Sequence, residues 1–360
     1  MIVKSISVND LRAGMILYAD TVNSRNEVIV PRNTVLSQRH LARFMASGVK
    51  EITVMIPDYI ATPEEIREFE PKENPLKSTE EYKEFRKSIL AIANKLSESF
   101  EKILEDPALP VEASPMIAAV NDVSEKSGST LHLLELLQCS RDFEDSIFVH
   151  SVSVALISRI IGIKAGFNDT QMSDIILCSL YHDIGKLQIP EEILNKPEPL
   201  LDEERETIKT HTTLGYSTLV RTSLPEYVAL CALHHHEHYD GTGYPAGMKG
   251  QKIPLYARYV AVADVYNAMT SKRPYRNEIC PFNVIDGFEK EGLQQFDPAA
   301  LFPFLSCLAQ SMIGATVLLS DGSMGKIILL NDRFTKPIVQ VSTGFVDLMK
   351  RPDLEIKKII

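Results

Sequence analysis

The hydrophobic pattern changes character three times along the chain. In residues 1–56 the apolar residues come as short runs, Val28-Ile29-Val30 and Ile52-Thr53-Val54-Met55-Ile56, punctuated by Gly14, Pro31 and Gly48. Short runs rich in β-branched residues and bounded by breakers predict strands. Between them LSQRHLARFMASG reads as one short helix closed by Gly48. Residues 57–78 are rich in Pro, Glu and Lys without a sustained apolar pattern, which predicts a linker or a loosely packed strap. A long helix follows: Ser78 and Glu81 have capping-box spacing, and Phe85, Ile89, Ile92, Leu96, Phe100 and Ile103 recur at steps of three and four. That stripe suits packing on the next domain better than a dimer-forming coiled coil, which needs more than about three heptads.

From 114 to 311 the pattern is helical almost throughout, with candidate helices at 130–139, 143–164, 170–183, 202–220, 225–238, 254–271, 281–291 and 297–311. Gly and Pro clusters at 185–200 and 240–254 interrupt it. The tail returns to β with ATVLLS, the turn Asp321-Gly322, GKIILL and KPIVQVS. The expected fold is therefore mainly α. An all-helical domain at 114–311 is preceded by a linker and long helix (57–113) and flanked by small β-rich modules at 1–56 and 312–360.

Composition narrows the partners. A chain of 360 residues suggests two or three folded units. A formal charge of −10 argues against broad binding to DNA or an anionic membrane, so an anionic substrate needs a local cationic patch. Cys139, Cys178, Cys231, Cys280 and Cys307 are odd in number and never form a CxxC pair, which fits buried thiols in a reducing compartment. The N-terminus lacks the basic start and apolar core of a secretory signal, and no apolar run approaches the ~20 residues of a membrane helix. The expectation is a cytoplasmic protein.

The chemistry concentrates in the histidines. Seven of nine lie between 150 and 238: His150, His182, His211, His234, His235, His236 and His238. His182-Asp183 precedes Gly185, so a helix ends there and presents an imidazole and a carboxylate. Such a donor pair suits Fe, Mn or Zn, and a carboxylate can bridge two ions where an imidazole cannot. His150, in IFVHSVSVALISRII, would alone read as a satisfied core histidine, and His211, after DEERETIKTH, as a surface or cap residue. Asp264 interrupts the small, apolar YVAVADVYNAM, where an unpaired carboxylate would be costly. In His234-His235-His236 neighbouring side chains point about 100° apart, so two of the three can reach one centre. A turn, Asp240-Gly241-Thr242-Gly243-Tyr244-Pro245, follows at once.

Taken in order, HDIGK at 182–186, HHHEHYDGTGYP at 234–245 and VADVYNAMTSKRPYR at 262–276 resemble the HD-GYP family of bacterial phosphodiesterases. The likeness spans about 150 to 300 and includes IPEEILNKPEPL and the later QFDP. The flanking VNDLRAGM and VLLSDGSMGKI resemble segments of some members less specifically.

The resemblance implies an all-helical HD-type metal phosphohydrolase domain with two divalent ions, iron or manganese. The ligands would be His150, His182, Asp183, His211, His235, His236 and Asp264, with Asp183 bridging. Asp183 and Lys186 would be catalytic. Lys186, Tyr244, Arg273 and Arg276 would contact substrate.

A third metal is not expected, because Ser146 stands where members with three carry glutamate, although Glu144 or Asp145 could contribute if the helix started differently. His238 and Asn267 stand where arginine and aspartate are frequent. The implied reaction is attack of a metal-bridging hydroxide on cyclic di-GMP, giving linear pGpG and further cleavage to GMP. The alternatives are a cyclic dinucleotide sensor with little turnover, or a phosphohydrolase for another cyclic dinucleotide or nucleotide. Structural metal residues fit least, since a structural site wants four closed ligands. Partners implied are cyclic di-GMP, a second copy of the chain as a homodimer, and signalling proteins.

Overall fold

The computed structural model describes residues 2–8, 11, 16–19, 21–22, 28–30, 34, 36, 40, 44, 49–56, 75–140, 146–196, 198–270 and 281–359. The protein is mainly α, with small sheets at both ends of the chain. Internal contacts divide it into two compact units, residues 73–311, and residues 1–72 together with 312–360.

In the second of these units, strands β1 (Ile2–Ser7), β2 (Ile16–Leu17) and β5 (Glu51–Ile56) form an antiparallel sheet in the order β1-β5-β2. Strands β3 (Thr21–Val22) and β4 (Val28–Val30) pair separately. Ile52 and Val54 alternate inward on β5, as a half-buried strand requires, and join Leu17, Val30, Leu36 and Phe44 in one core. Most of the helix expected at 36–48 lies outside the described residues, as do residues 57–74. The C-terminal strands β6 (Thr316–Leu319), β7 (Met324–Leu329), β8 (Ile338–Val341), β9 (Gly344–Asp347) and β10 (Ile356–Ile359) form one antiparallel sheet ordered β10-β6-β7-β8-β9. The Asp321-Gly322 turn joins β6 to β7, with Gly322 at φ +85° and Asp321 accepting from Ser323 N at 2.9 Å.

The helical unit comprises α1 (Glu80–Glu105), α2 (Ser114–Lys126), α3 (Thr130–Cys139), α4 (Ile147–Ala165), α5 (Asp169–Tyr181), a 3-10 turn (Ile184–Gln188), α6 (Glu191–Leu194), α7 (Asp202–Lys209), α8 (His211–Leu219), α9 (Glu226–His234), α10 (Leu255–Thr270), α11 (Pro281–Gly287) and α12 (Pro298–Gln310). Helix α4 is its axis. Buried residues from Val149 to Gly162 occupy every face, so the helix must be surrounded, and α1, α5, α10 and α12 pack round it. This 19-residue helix is long and apolar enough on composition to suit a membrane span, the nearest the chain comes to one among the described residues. Here that surface is consumed by neighbouring helices.

The caps fix where the site-bearing helices begin. Ser146 accepts from Val149 N at 3.2 Å to start α4, and Gly166 ends it in a left-handed turn at φ +78°. Asn168 and Gln171 then cap α5 reciprocally. Three sequence expectations change. Helix α1 is capped by Thr79, which accepts from Tyr82 N at 3.2 Å, and Ser78 instead closes the preceding 3-10 turn. The helix expected over 202–220 is two helices broken at Thr210. There the hydroxyls of Thr207, Thr210, Thr212 and Thr213 donate back to carbonyls one turn earlier and compete with the helical ladder. Helix α9 stops at His234 because Tyr244 N comes back to donate to His236 O at 3.1 Å.

The apolar stripe of α1 is buried within its own unit, at Phe85, Ile89, Ile92, Leu96, Phe100 and Ile103. Phe100 has no exposed surface and meets Phe148 edge-on at 5.6 Å and Tyr181 at 5.4 Å between ring centroids. Ser99 hydrogen-bonds the Tyr181 hydroxyl at 2.7 Å. Phe148 and Tyr181 stand beside His150 and His182, so α1 holds both histidine-bearing segments from behind. At the other end of the bundle Asp174 accepts from Tyr227 at 2.5 Å and Tyr256 at 2.7 Å, tying α5, α9 and α10 together. Cys139, Cys178, Cys231 and Cys307 are buried free thiols, and Cys280 lies outside the described residues.

Truncating Phe100 to alanine removes the wedge behind the two histidine segments. Phe100→Ala is expected to cost about 3–5 kcal/mol, measured as the shift in urea unfolding.

Candidate metal centre

The site is organised round one carboxylate. Helix α5 ends at Tyr181, and His182 and Asp183 occupy the corner before the 3-10 turn, both with no exposed surface. Asp183 Oδ1 lies 3.4 Å from His211 Nε2 and 3.6 Å from His235 Nε2. Its Oδ2 lies 3.3 Å from His182 Nε2 and 3.5 Å from His150 Nε2, and also accepts from Lys186 Nζ. Asp264, on α10, completes the second side with Oδ1 3.0 Å from His150 Nε2.

Two groups of candidate ligands result. Asp183, His211, His235 and His236 converge on one point, and His150, His182 and Asp264 on another. All seven residues expected from sequence are thus brought together. His234 is turned aside, its Nδ1 3.6 Å from Glu237 Oε1. His238 faces Thr242 Oγ1 at 2.9 Å. Arg273 and Arg276 lie outside the described residues, as do Glu144 and Asp145. Ser146 is spent as the α4 cap.

Three of these imidazoles are oriented by the backbone. The Nδ1 of His182 faces Ser179 O at 2.6 Å, that of His211 faces Ile208 O at 2.6 Å, and that of His235 faces Ala232 O at 2.9 Å. A carbonyl can only accept, so each Nδ1 carries a proton and each Nε2 is the nitrogen that faces the cluster. A glycine allows the approach of His211. The Cβ of any other residue at 185 would overlap the His211 carbonyl and Gly215 N.

Burial tests whether these residues fit a metal. His150 Nε2, His182 Nε2 and Asp183 Oδ1 are buried without an aligned hydrogen-bond partner, and all three face the cluster. Such atoms are costly unless a cation satisfies them. The donors are imidazoles and carboxylates, a set suited to divalent transition metals. The residues fit divalent metal binding.

Protonation follows the same geometry. Burial alone would lower the His182 imidazole, but the carboxylates of Asp183 and Asp264 outweigh it and raise it to about 9. Burial wins at His211, pushed down to about 4, and also lowers His235 and His236. Asp183 would be raised by burial, yet Lys186 and His182 hold it well below the usual carboxylate range. Burial likewise opposes ionisation of Asp264, and His150 and His182 more than offset it.

The turn after α9 forms one wall. Tyr244 stacks on His236 with centroids 4.8 Å apart and planes at 24°. Burial and the charges of Asp183 and Asp264 raise its phenol, so the hydroxyl stays protonated at neutral pH. Gly243 is required, since a side chain there would overlap His238 N, Glu237 Cα and His236 O.

Two further residues, given no role by sequence, shape this wall. Glu237 is buried and accepts from Ala246 N at 2.7 Å and Met248 N at 2.9 Å, which clamps the loop onto the histidine run. A carboxylate inside an otherwise histidine-rich segment is the signal that could have revealed it. Lys209 Nζ lies 2.6 Å from Glu206 Oε1, a pair its helical spacing allows, and 5.4 Å from the Tyr244 ring centroid, a contact that no local pattern announces.

Comparison with known proteins places this centre in context. The family profile described as HD domain matches residues 113–300, just over half of the chain. A cyclic di-GMP phosphodiesterase response regulator of Xanthomonas campestris pv. campestris is 37% identical over 163 residues, 45% of this chain and 43% of that protein. A cyclic di-GMP phosphodiesterase of Thermotoga maritima is 42% identical over 149 residues, 41% of this chain and 40% of that protein. The chain therefore spans about two fifths of the length of these two relatives. A cyclic di-GMP phosphodiesterase of Pseudomonas aeruginosa is 29% identical over 342 residues, 90% of this chain and 81% of that protein.

Two outcomes follow from this geometry. In Gly185→Ala the added methyl forces His211 away from Asp183. Metal content should fall while helical circular dichroism persists, with about 1–3 kcal/mol of stability lost to overpacking. The second concerns pH. His182 is protonated up to about 9 in the metal-free protein, whereas His211, His235 and His236 are lowered and the carboxylates already ionised. Metal must displace the His182 proton. Affinity should therefore rise by about tenfold per pH unit between 7 and 9 and level off above, with one proton released in weakly buffered titrations.

Proposed function

The chain belongs to the HD domain family, and on that premise we propose that it is a metal-dependent phosphodiesterase hydrolysing cyclic di-GMP to linear pGpG and then to GMP. The observation that carries this reading is the division of Asp183, whose two oxygens face two different sets of imidazoles. Two divalent ions, iron or manganese, would be held by His150, His182 and Asp264 on one side and by His211, His235 and His236 on the other, with Asp183 serving both. Bound there, such ions supply Lewis-acid polarisation of a phosphate oxygen and lower the pKa of water from 15.7 toward ~7.

The chain's own residues do the rest. Lys186 reaches the rim of the centre, with 24% of its side chain exposed and its ammonium on Asp183. In this reading it holds a non-bridging phosphate oxygen or protonates the departing ribose oxygen. Tyr244, protonated at neutral pH and fixed on His236, donates a hydrogen bond to the same phosphate. Arg273 and Arg276 would grip phosphate oxygens through their planar forks. These cations give the local positive field that a chain of net charge −10 otherwise lacks. Three relatives are cyclic di-GMP phosphodiesterases, which supports cyclic di-GMP as the substrate.

The test is chromatographic. Anaerobically purified protein with measured metal content is incubated with cyclic di-GMP beside an Asp183→Ala variant. The wild type should yield pGpG or GMP, with turnover abolished by chelation and by the substitution. Two ions bound without product would reject the hydrolase reading in favour of a sensor. Turnover by metal-stripped Asp183→Ala would reject the two-metal mechanism.

A further inference from the structure

His150 differs from the other oriented imidazoles of the centre in what holds it. His182, His211 and His235 each present Nδ1 to a backbone carbonyl, which keeps a proton on Nδ1 before any ion arrives. The Nδ1 of His150 instead meets the side-chain amide of Asn267, with Nδ2 2.8 Å away. An amide end can donate through nitrogen or, turned by 180°, accept through oxygen. In the orientation seen, Asn267 donates, so Nδ1 accepts and the ring proton belongs on Nε2. That nitrogen is the one facing Asp264 Oδ1 at 3.0 Å and Asp183 Oδ2 at 3.5 Å. A metal bond from Nε2 requires the opposite tautomer, with Nδ1–H donating to the amide oxygen.

We propose that Asn267 is a positioning residue whose amide must turn over for His150 to bind metal, making the His150–His182–Asp264 side the weaker and exchangeable half of the centre. Asp264 and Asn267 lie one helical turn apart on α10, so the two sides of the His150 ring are governed by the same helix. His150 itself is the more accessible ligand, with 21% of its side chain exposed against none for His182. The Asp183–His211–His235–His236 side contains two imidazoles already locked by carbonyls and loads first. Partners that orient a ligating histidine are worth about 10–100-fold in metal affinity, enough to separate the two sides. The inference rests on the two-metal reading above.

Manganese binding distinguishes the outcomes. The chelator-stripped 360-residue chain is titrated with Mn2+, with free ion followed by electron paramagnetic resonance and bound ion by equilibrium dialysis. The wild type should show two classes of site separated by ~10-fold or more. Asn267→Asp offers only acceptor oxygens to Nδ1–H, so it should tighten the weaker class by ~10-fold while the stronger shifts by less than ~3-fold. Asn267→Leu removes the contact and should abolish the weaker class alone. Two equal sites in the wild type, or an unchanged weak site in Asn267→Asp, would overturn the inference while leaving the phosphodiesterase reading intact. Absence of bound Mn2+ would overturn the inference too, and the chromatographic assay above decides the phosphodiesterase reading separately.

Discussion

A carboxylate with no access to water, facing four imidazoles and one ammonium, sets the terms for the helical unit. Asp183 cannot be left uncompensated at that depth. Lys186 neutralises one oxygen, and the histidines approach the other atoms with their lone pairs or protons. Much of the surrounding architecture keeps this arrangement in register. Phe100 braces the segments beside His150 and His182, the Asp174–tyrosine knot ties three ligand-bearing helices at their far ends, and Gly185 lets α8 come close enough to deliver His211. The packing and the site are one construction.

Much of this was legible in the residues because the segments that carry the ligands are local patterns. The apolar runs at 143–164 and 254–271 located two helices, and the one imidazole of the first, His150, and the one carboxylate of the second, Asp264, stood out against their surroundings. The HDIGK and HHHEHYDGTGYP segments are contiguous, so their likeness to a family could be seen without three-dimensional information. The β character of the two ends followed from short apolar runs bounded by Gly and Pro and from the Asp321-Gly322 turn.

What escaped the sequence depends on contacts between distant segments or on competing local bonds. The break at Thr210 arises from hydroxyls that periodicity does not weigh. The start of α1 at Thr79 turned on which of two adjacent hydroxyls faces Tyr82 N. Glu237 and Lys209 gained their places from the return of the 239–250 loop, and Asn267 from a helix that meets α4 only in the folded state. Grouping of residues 1–72 with 312–360 likewise has no signature in either segment taken alone.

The spacing of the ligands has a consequence for biogenesis. His150 and the α10 turn that holds it are separated by 117 positions, with other ligands scattered between. A nascent chain emerging from the ribosome therefore possesses no complete centre until the last helix of the ligand set has been made and has docked on α4. Closure over so long an interval belongs to the slow, high-contact-order stage of folding. Any metal insertion is thereby deferred to a folded chain, and a protein that has lost its tertiary docking but kept its helices would hold histidines without holding the candidate site.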